Sequence, residues 1–180
     1  MNYFNTPKRI DHTVIKFCKS ISPHSKPEYI QLRPELWCRP NDCYNNVEQK
    51  VAKYGGKRQL GWRIQVMPDP NPKFMIEAVH HAIWITATGQ KIDITPQPNV
   101  VGKIVFVSDD ITKLENHRIG EKYQALLDCP IVHEYVGLCN LESEHYTSKT
   151  KLIKQPKPPV ELLMKQEQLK DLIFRKHGRL

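Results

Sequence analysis

The sequence predicts an α+β fold in which a helix packs on an antiparallel β-sheet and a helical tail follows at the C-terminus. Three patterns favour this class. Residues 43–54 place apolar side chains on one helical face. The stretches 62–66, 74–86 and 91–95 are rich in alternating, β-branched or aromatic residues, as strands are. Residues 160–176 have the spacing of an amphipathic helix.

The length and composition predict one domain with a tail. The chain has 180 residues, of which 39% are hydrophobic, enough for one sizeable core but scarcely for two. Residues 149–159 are rich in Lys and Pro and have no means of burying a core. We therefore expect a domain over 1–148, a linker over 149–159 and an amphipathic helix over 160–178.

The first 40 residues predict mostly loop, because prolines interrupt them repeatedly. One short element is expected around residues 13–17, as either helix or strand. A helix then begins after Asn41 and Asp42, where Asp42 is a candidate N-cap, and it ends at the Gly-Gly pair of residues 55–56.

The middle of the chain predicts the sheet. Residues 62–66 alternate apolar and polar side chains, as a half-buried strand does. Residues 74–86 are apolar on both faces, which favours a central strand, and residues 87–90 connect it to a return strand over 91–95. A further strand is expected over 103–107, followed by helices over 110–117 and 120–127.

The five cysteines form an odd, widely spaced set, which suits a reducing compartment better than a disulfide framework. The N-terminus lacks a secretory pattern, and no apolar run is long enough to span a membrane. Four residues separate Cys38 from Cys43, and no second ligand pair follows, which argues against zinc. We predict a cytoplasmic protein with no metal, no cofactor and no membrane contact.

The charge is concentrated near the C-terminus. The formal net charge is +8, and residues 146–180 hold nine Lys or Arg against three acidic residues. Such a basic tail indicates an acidic protein or nucleic-acid partner, or only a well-solvated terminus.

Three residues along the predicted helix and hairpin have the chemistry of a nucleophile, a base and an orienting group. Cys43 lies in the first turn of a helix, where the positive end of the dipole favours a thiolate. His80 or His81 on the central strand is the candidate base, and alternation allows only one of them to face the helix. Asp93 is the acidic residue on the return strand, where a carboxylate would hold the other ring nitrogen.

With these residues, the chain resembles the papain-like fold superfamily of cysteine hydrolases, and most closely its transglutaminase-like and NlpC-like branches. The matching segments are 43–47 (Cys-Tyr-Asn-Asn-Val), 81–84 (His-Ala-Ile-Trp) and 92–96 (Ile-Asp-Ile-Thr-Pro), within residues 37–107. The resemblance implies a papain-like core and a Cys43, His81 and Asp93 triad, and it favours His81 over His80.

The oxyanion donors stay open at this point. Tyr44 replaces the bulky Trp that often follows the nucleophile in transglutaminase-like enzymes. Gln31 is the upstream glutamine available as a donor, and backbone N–H groups at the start of the Cys43 helix are the alternative.

Two functions follow as hypotheses. The first is a cysteine-dependent enzyme that acts on an amide bond of a protein or peptide, as a peptidase, amidase, glutamine deamidase or transglutaminase. The second is a non-catalytic binding protein on the same scaffold, which uses its basic tail and Trp37, Trp62 and Trp84 to engage a protein or nucleic acid. In either case the last helix is a candidate docking element for a partner, or packs on its own domain.

Overall fold

A computed structural model describes residues 4–67, 73–97, 102–109, 111–112, 119–147 and 158–177. Within these residues the protein is an α+β structure with four helices and a six-stranded sheet. The helices are α1 (His12–Ile21), α2 (Cys43–Tyr54), α3 (Pro130–Thr147) and α4 (Val160–His177). The strands are β1 (Glu28–Leu32), β2 (Lys57–Met67), β3 (Met75–Ile85), β4 (Lys91–Asp93), β5 (Lys103–Ser108) and β6 (Lys122–Ala125).

The sheet closes into a five-stranded barrel. Its strand order is β2-β5-β1-β4-β3, and β2 also pairs with β3 along the full length of both strands. All these pairs are antiparallel except β1 with β4, so the predicted antiparallel sheet is in fact mixed. The sixth strand, β6, extends the sheet at the first four residues of β3.

One edge of β3 is interrupted. On the side away from β2, residues 75–78 of β3 pair with β6, and Trp84 and Ile85 pair with β4. Among the described residues, 79–83 of β3 have no strand partner on that side. This gap in the barrel wall lies along the segment of β3 that contains both histidines, and α2 packs against the same strand.

The strand register determines which side chains face into the barrel. His81 lies opposite Gly61, and Arg63 lies opposite both Val79 and Phe106, so these side chains share one face. On that same face, Ile30, Ile83, Ile104 and Phe106 form a buried cluster. β3 is not hydrogen-bonded to β1 or β5, so its side chains in this cluster can meet those of β1 and β5 only across the barrel. We therefore call the face that holds these side chains the inner face of the barrel.

The helices cover the outer faces of the strands. The apolar side of α1, with Val14 and Phe17, packs on Trp62, Ile64 and their neighbours. The apolar side of α2, through Val47, packs against the cluster around Ala82 and Ile92. The sequence therefore folds into a closed barrel with α1 and α2 packed on its outer face.

Most elements in the middle of the chain confirm the predictions, namely α2, β2, β3, β4 and β5, and the short element near residue 15 is the helix α1. Two predictions were wrong. Residues 28–32 form β1 rather than loop, and residues 122–125 form β6 rather than helix. Both strands are short and depend on partners more than 40 residues away, which local patterns do not contain. The helix α3 was not predicted.

The predicted helix over 110–117 and the linker over 149–159 fall almost wholly outside the described residues. The last helix formed as predicted, and it packs on the protein itself. Ile173 of α4 is buried in a cluster with Phe74 of the loop before β3 and with Val132 and Val136 of α3. Among the described residues, no helix is long and apolar enough to span a membrane.

We predict that Gly61→Ala destabilises the fold, because an added Cβ would lie 2.3 Å from both the Phe106 ring and the Val107 carbonyl oxygen. We expect a loss of about 1–3 kcal/mol in the free energy of unfolding, measured by urea denaturation.

The control is Gly137→Ala in α3, where an added Cβ meets no atom within 4 Å. This change should stabilise the protein by about 0.5–1 kcal/mol, since alanine is the better helix former. A Gly61→Ala protein as stable as the wild type would contradict the close packing of Phe106 on Gly61.

Candidate active site

Cys43 is the first residue of α2, and it lies at the gap in the barrel wall. Asn41 adopts a left-handed conformation with φ of 59°, which turns the chain into the helix. Asp42 occupies the N-cap position, but its side chain makes no cap hydrogen bond and instead accepts one from Asn45 Nδ2 at 2.6 Å. Cys43 itself is 8% exposed.

The structure brings Cys43, His81 and Asp93 together in the order expected from the sequence. His81 Nε2 lies 3.0 Å from Asp93 Oδ2, with both side chains buried on the inner face. The Cys43 side chain lies close enough to the His81 ring to raise the pKa of that ring. Since Nε2 is engaged by Asp93, Nδ1 is the nitrogen that remains for the sulfur.

His81 is held in its charged form. Its burial alone would lower the pKa, but the charges of Asp93 and Cys43 and the hydrogen bonds to both raise the pKa of His81 to about 9. His81 is therefore an imidazolium at neutral pH when Cys43 is a thiolate.

Asp93 is fixed by its own neighbours. Its Oδ1 accepts the backbone N–H of Thr95 at 3.0 Å, and its Oδ2 lies 3.4 Å from Gln97 Nε2. Because the carboxylate cannot rotate freely, it holds the His81 ring in one orientation.

His80 belongs to a different cluster, as strand alternation predicts. The Tyr44 hydroxyl lies 2.7 Å from His80 Nδ1, and the ring meets Trp62 edge-on with centroids 4.8 Å apart. Burial lowers the pKa of His80 to about 4, although Asp109, 3.7 Å away, opposes this shift. His80 is therefore neutral at neutral pH and does not contact Asp93.

Asn46 links the segments that carry the site, a role that the sequence did not reveal. Its side chain bonds both the N–H and the carbonyl of Arg39, at 3.0 and 2.8 Å, and its Nδ2 donates to Thr95 Oγ1 at 3.2 Å. The Cys-x-x-Asn and Asp-x-Thr-Pro segments are thus joined by a buried hydrogen bond. In the sequence, this link was indicated only by the asparagine three residues after Cys43 and the threonine two residues after Asp93.

A cavity of about 540 Å³ opens beside these groups, large enough for a small molecule or a few residues of peptide. Cys43 and His81 line it together with Arg63, Thr95, Gln97 and Glu121. The alternation of residues 62–66 predicts a half-buried strand whose polar side chains face solvent, whereas the structure turns Arg63 toward the cavity. Gln31, the candidate oxyanion donor, is exposed on β1 and does not line this cavity.

The remaining candidate residues divide between core and surface. None of the five cysteines forms a disulfide. Trp62 is buried and Trp84 donates to the Gly55 carbonyl at 2.9 Å, whereas Trp37 is 43% exposed. Among the described residues, no group of His, Cys, Asp and Glu has the arrangement of a metal site.

We predict that Asn46→Ala destabilises the protein by about 2–3 kcal/mol, because it removes two part-buried hydrogen bonds to the Arg39 backbone and a buried one to Thr95. The matched control is Asn45→Ala, since Asn45 is exposed and its side chain donates to the Asp42 carboxylate. This control should change the stability by less than about 0.5 kcal/mol. Urea denaturation of both variants measures the difference, and equal effects would contradict the linking role of Asn46.

Comparison with known proteins adds no further assignment: no family model, no curated protein and no solved structure matches this chain.

Proposed function

We propose that this protein is a cysteine-dependent enzyme that acts on an amide bond, with Cys43 as nucleophile, His81 as proton carrier and Asp93 as the group that orients His81. The observation that carries the proposal is the buried chain of contacts from Asp93 through His81 to Cys43, which ends at a cavity. Nucleophile, base and orienting group within hydrogen-bond reach are the arrangement that such catalysis requires.

The proposed reaction has two halves. The Cys43 thiolate attacks the carbonyl carbon, a C–S bond forms, and the carbonyl oxygen becomes an oxyanion. The oxyanion then collapses, the C–N bond breaks, and the His81 imidazolium gives its proton to the leaving nitrogen. The product is a thioester on Cys43 and a neutral His81.

In the second half, His81 takes a proton from water or from an amine as that molecule attacks the thioester. The C–S bond breaks, and the thiolate and imidazolium return. Water gives hydrolysis or deamidation, and an amine gives transamidation, so peptidase, amidase, glutamine deamidase and transglutaminase activities share this chemistry.

The start of α2 is the proposed source of oxyanion stabilisation. Backbone N–H groups in the first turn have no partner within a helix, and Asp42 does not cap them with its side chain. They lie beside the nucleophile, where donors to a developing oxyanion are needed. The solvent-exposed Gln31 is a poorer candidate.

The papain-like core, of the transglutaminase-like or NlpC-like kind, is part of this proposal. Its support is the order of helix-borne Cys43, strand-borne His81 and next-strand Asp93, beside a β-barrel. A cytoplasmic location remains an expectation from the cysteine pattern.

The binding-protein alternative has less support. Trp62 is buried and Trp84 is half-buried, and α4 packs Ile173 and Phe174 against α3. A basic tail that engaged an acidic protein or nucleic acid would bind in a strongly salt-dependent way.

The test of the enzyme proposal is the alkylation rate of Cys43 with iodoacetamide, followed by peptide mass spectrometry from pH 5 to 10. We expect Cys43 to react at a pH well below about 8.5, the ordinary pKa of a free thiol. His81→Ala should move the midpoint of the pH dependence of the Cys43 alkylation rate up toward that value, and Asp93→Asn should move this midpoint part of the way. His133→Asn, at an exposed position of α3, is the control and should leave it unchanged.

The other cysteines supply an internal standard. Burial raises the pKa of Cys18 and of Cys139 to about 12, so neither should react over this range. An ordinary pH profile for Cys43, unaffected by the His81 and Asp93 changes, would overturn the proposed enzyme and favour a binding role.

A further inference from the structure

Arg63 is a partly buried cation in the wall of the candidate active site. It lies on the inner face of β2, opposite Val79 and diagonal to His81. Diagonal neighbours on two paired strands lie about 7–8 Å apart. It lines the same cavity as Cys43 and His81. A charge at this place acts on whatever enters the cavity.

The guanidinium of Arg63 has few partners for a buried charge. One terminal nitrogen donates to Gln97 Oε1, while the Nε atom is buried and has no partner. Among the described residues, no carboxylate forms an ion pair with it. Burying a charged group without a paired anion is costly, so a protein that keeps one usually has a use for it.

The two nearby carboxylates are engaged elsewhere. Asp93 accepts from His81 and Thr95, and Glu77 accepts from Gln65 Nε2 at 2.7 Å. Burial also raises the pKa of Glu77 to about 7, so it is only partly ionised at neutral pH. Neither carboxylate forms an ion pair with Arg63, although the charges of Glu77, Asp93 and Cys43 all act on the guanidinium at longer range.

We propose that Arg63 binds a carboxylate of the substrate, so that the enzyme selects amides that have a free carboxylate a few bonds from the reacting carbonyl. This inference rests on the proposed function of Cys43. A planar guanidinium with unused donors matches a carboxylate in shape and charge. A doubly charged phosphate fits less well, because one guanidinium balances one charge and Glu121 also lines the cavity.

Two alkylating agents of nearly equal size test this proposal. Iodoacetate has a carboxylate next to its reacting carbon, and iodoacetamide has a neutral amide there. The measurement is the alkylation rate of Cys43 with iodoacetate divided by the rate with iodoacetamide. Each rate is first divided by the rate of the same reagent with a small free thiol. We expect Arg63→Gln to lower this ratio about tenfold or more, the loss expected for a hydrogen bond to a charged group. The iodoacetamide rate should change much less.

The matched control is Arg58→Gln on the same strand, since Arg58 pairs with Glu48 at 3.6 Å and does not line the cavity. It should leave the ratio unchanged. Arg63→Lys keeps the charge but not the planar donor fork, and its ratio should lie between those of the wild type and Arg63→Gln.

A second measurement needs no variant. Acetylglycine, which has a carboxylate, should protect wild-type Cys43 from iodoacetamide, whereas acetylglycinamide at the same concentration should not. Equal protection by the two, or an unchanged rate ratio in Arg63→Gln, would overturn the role of Arg63.

The outcomes separate the two proposals. An equal fall in the iodoacetate and iodoacetamide rates in Arg63→Gln would also overturn the inference. Arg63 would then affect the reactivity of the Cys43 thiolate or the stability of the fold, and not the binding of a carboxylate. Slow iodoacetamide alkylation of wild-type Cys43, with an ordinary pH profile, would instead remove the proposed function and this inference with it.

Discussion

The pair formed by Asp93 and His81 is the constraint on which the rest of the site depends. Two ionisable side chains with almost no solvent exposure, 3.0 Å apart, are stable only if each is paired and hydrogen-bonded. The barrel meets this requirement by placing β4 next to β3, and Thr95 and Gln97 then satisfy the remaining lone pairs of Asp93. Removing either partner would leave a charge buried alone, which is much more costly than the pair.

The interrupted edge of β3 makes this buried pair accessible to chemistry. A fully paired barrel would seal His81 among the inner-face side chains. Because β4 and β6 cover only the two ends of that edge, α2 can bring Cys43 to the ring of His81 in the middle. The cavity lies beside the same residues, since Cys43 and His81 both line it. The neutral His80 cluster with Tyr44 and Trp62 anchors the start of α2 on the other face.

Local patterns in the sequence were enough to predict the parts of the site that lie on regular elements. The spacing of Cys43, Val47 and Val51 indicated α2, and alternation along β3 put His80 and His81 on opposite faces, while the preference for His81 came from the resemblance to papain-like enzymes. What the patterns lacked was information about non-local pairing. The strand β1 exists because β4 and β5 flank it, and β6 exists because β3 has a free edge there. The position of Arg63 was misjudged for a related reason, since only closure of the barrel turns the polar side of β2 inward.

The measurement that tests the central claim most directly is the NMR titration of the His81 ring, with nitrogen-labelled histidine, in the wild type and in Cys43→Ala. With the thiolate and Asp93 both present, His81 should keep its proton through neutral pH and lose it as the pH rises through about 9. Removing the thiolate removes one of the two negative charges, so Cys43→Ala should lose that proton at a pH lower by about one unit or more. A ring that titrates near 6.5 in both proteins would contradict a charged pair between Cys43 and His81 and the catalytic arrangement built on it.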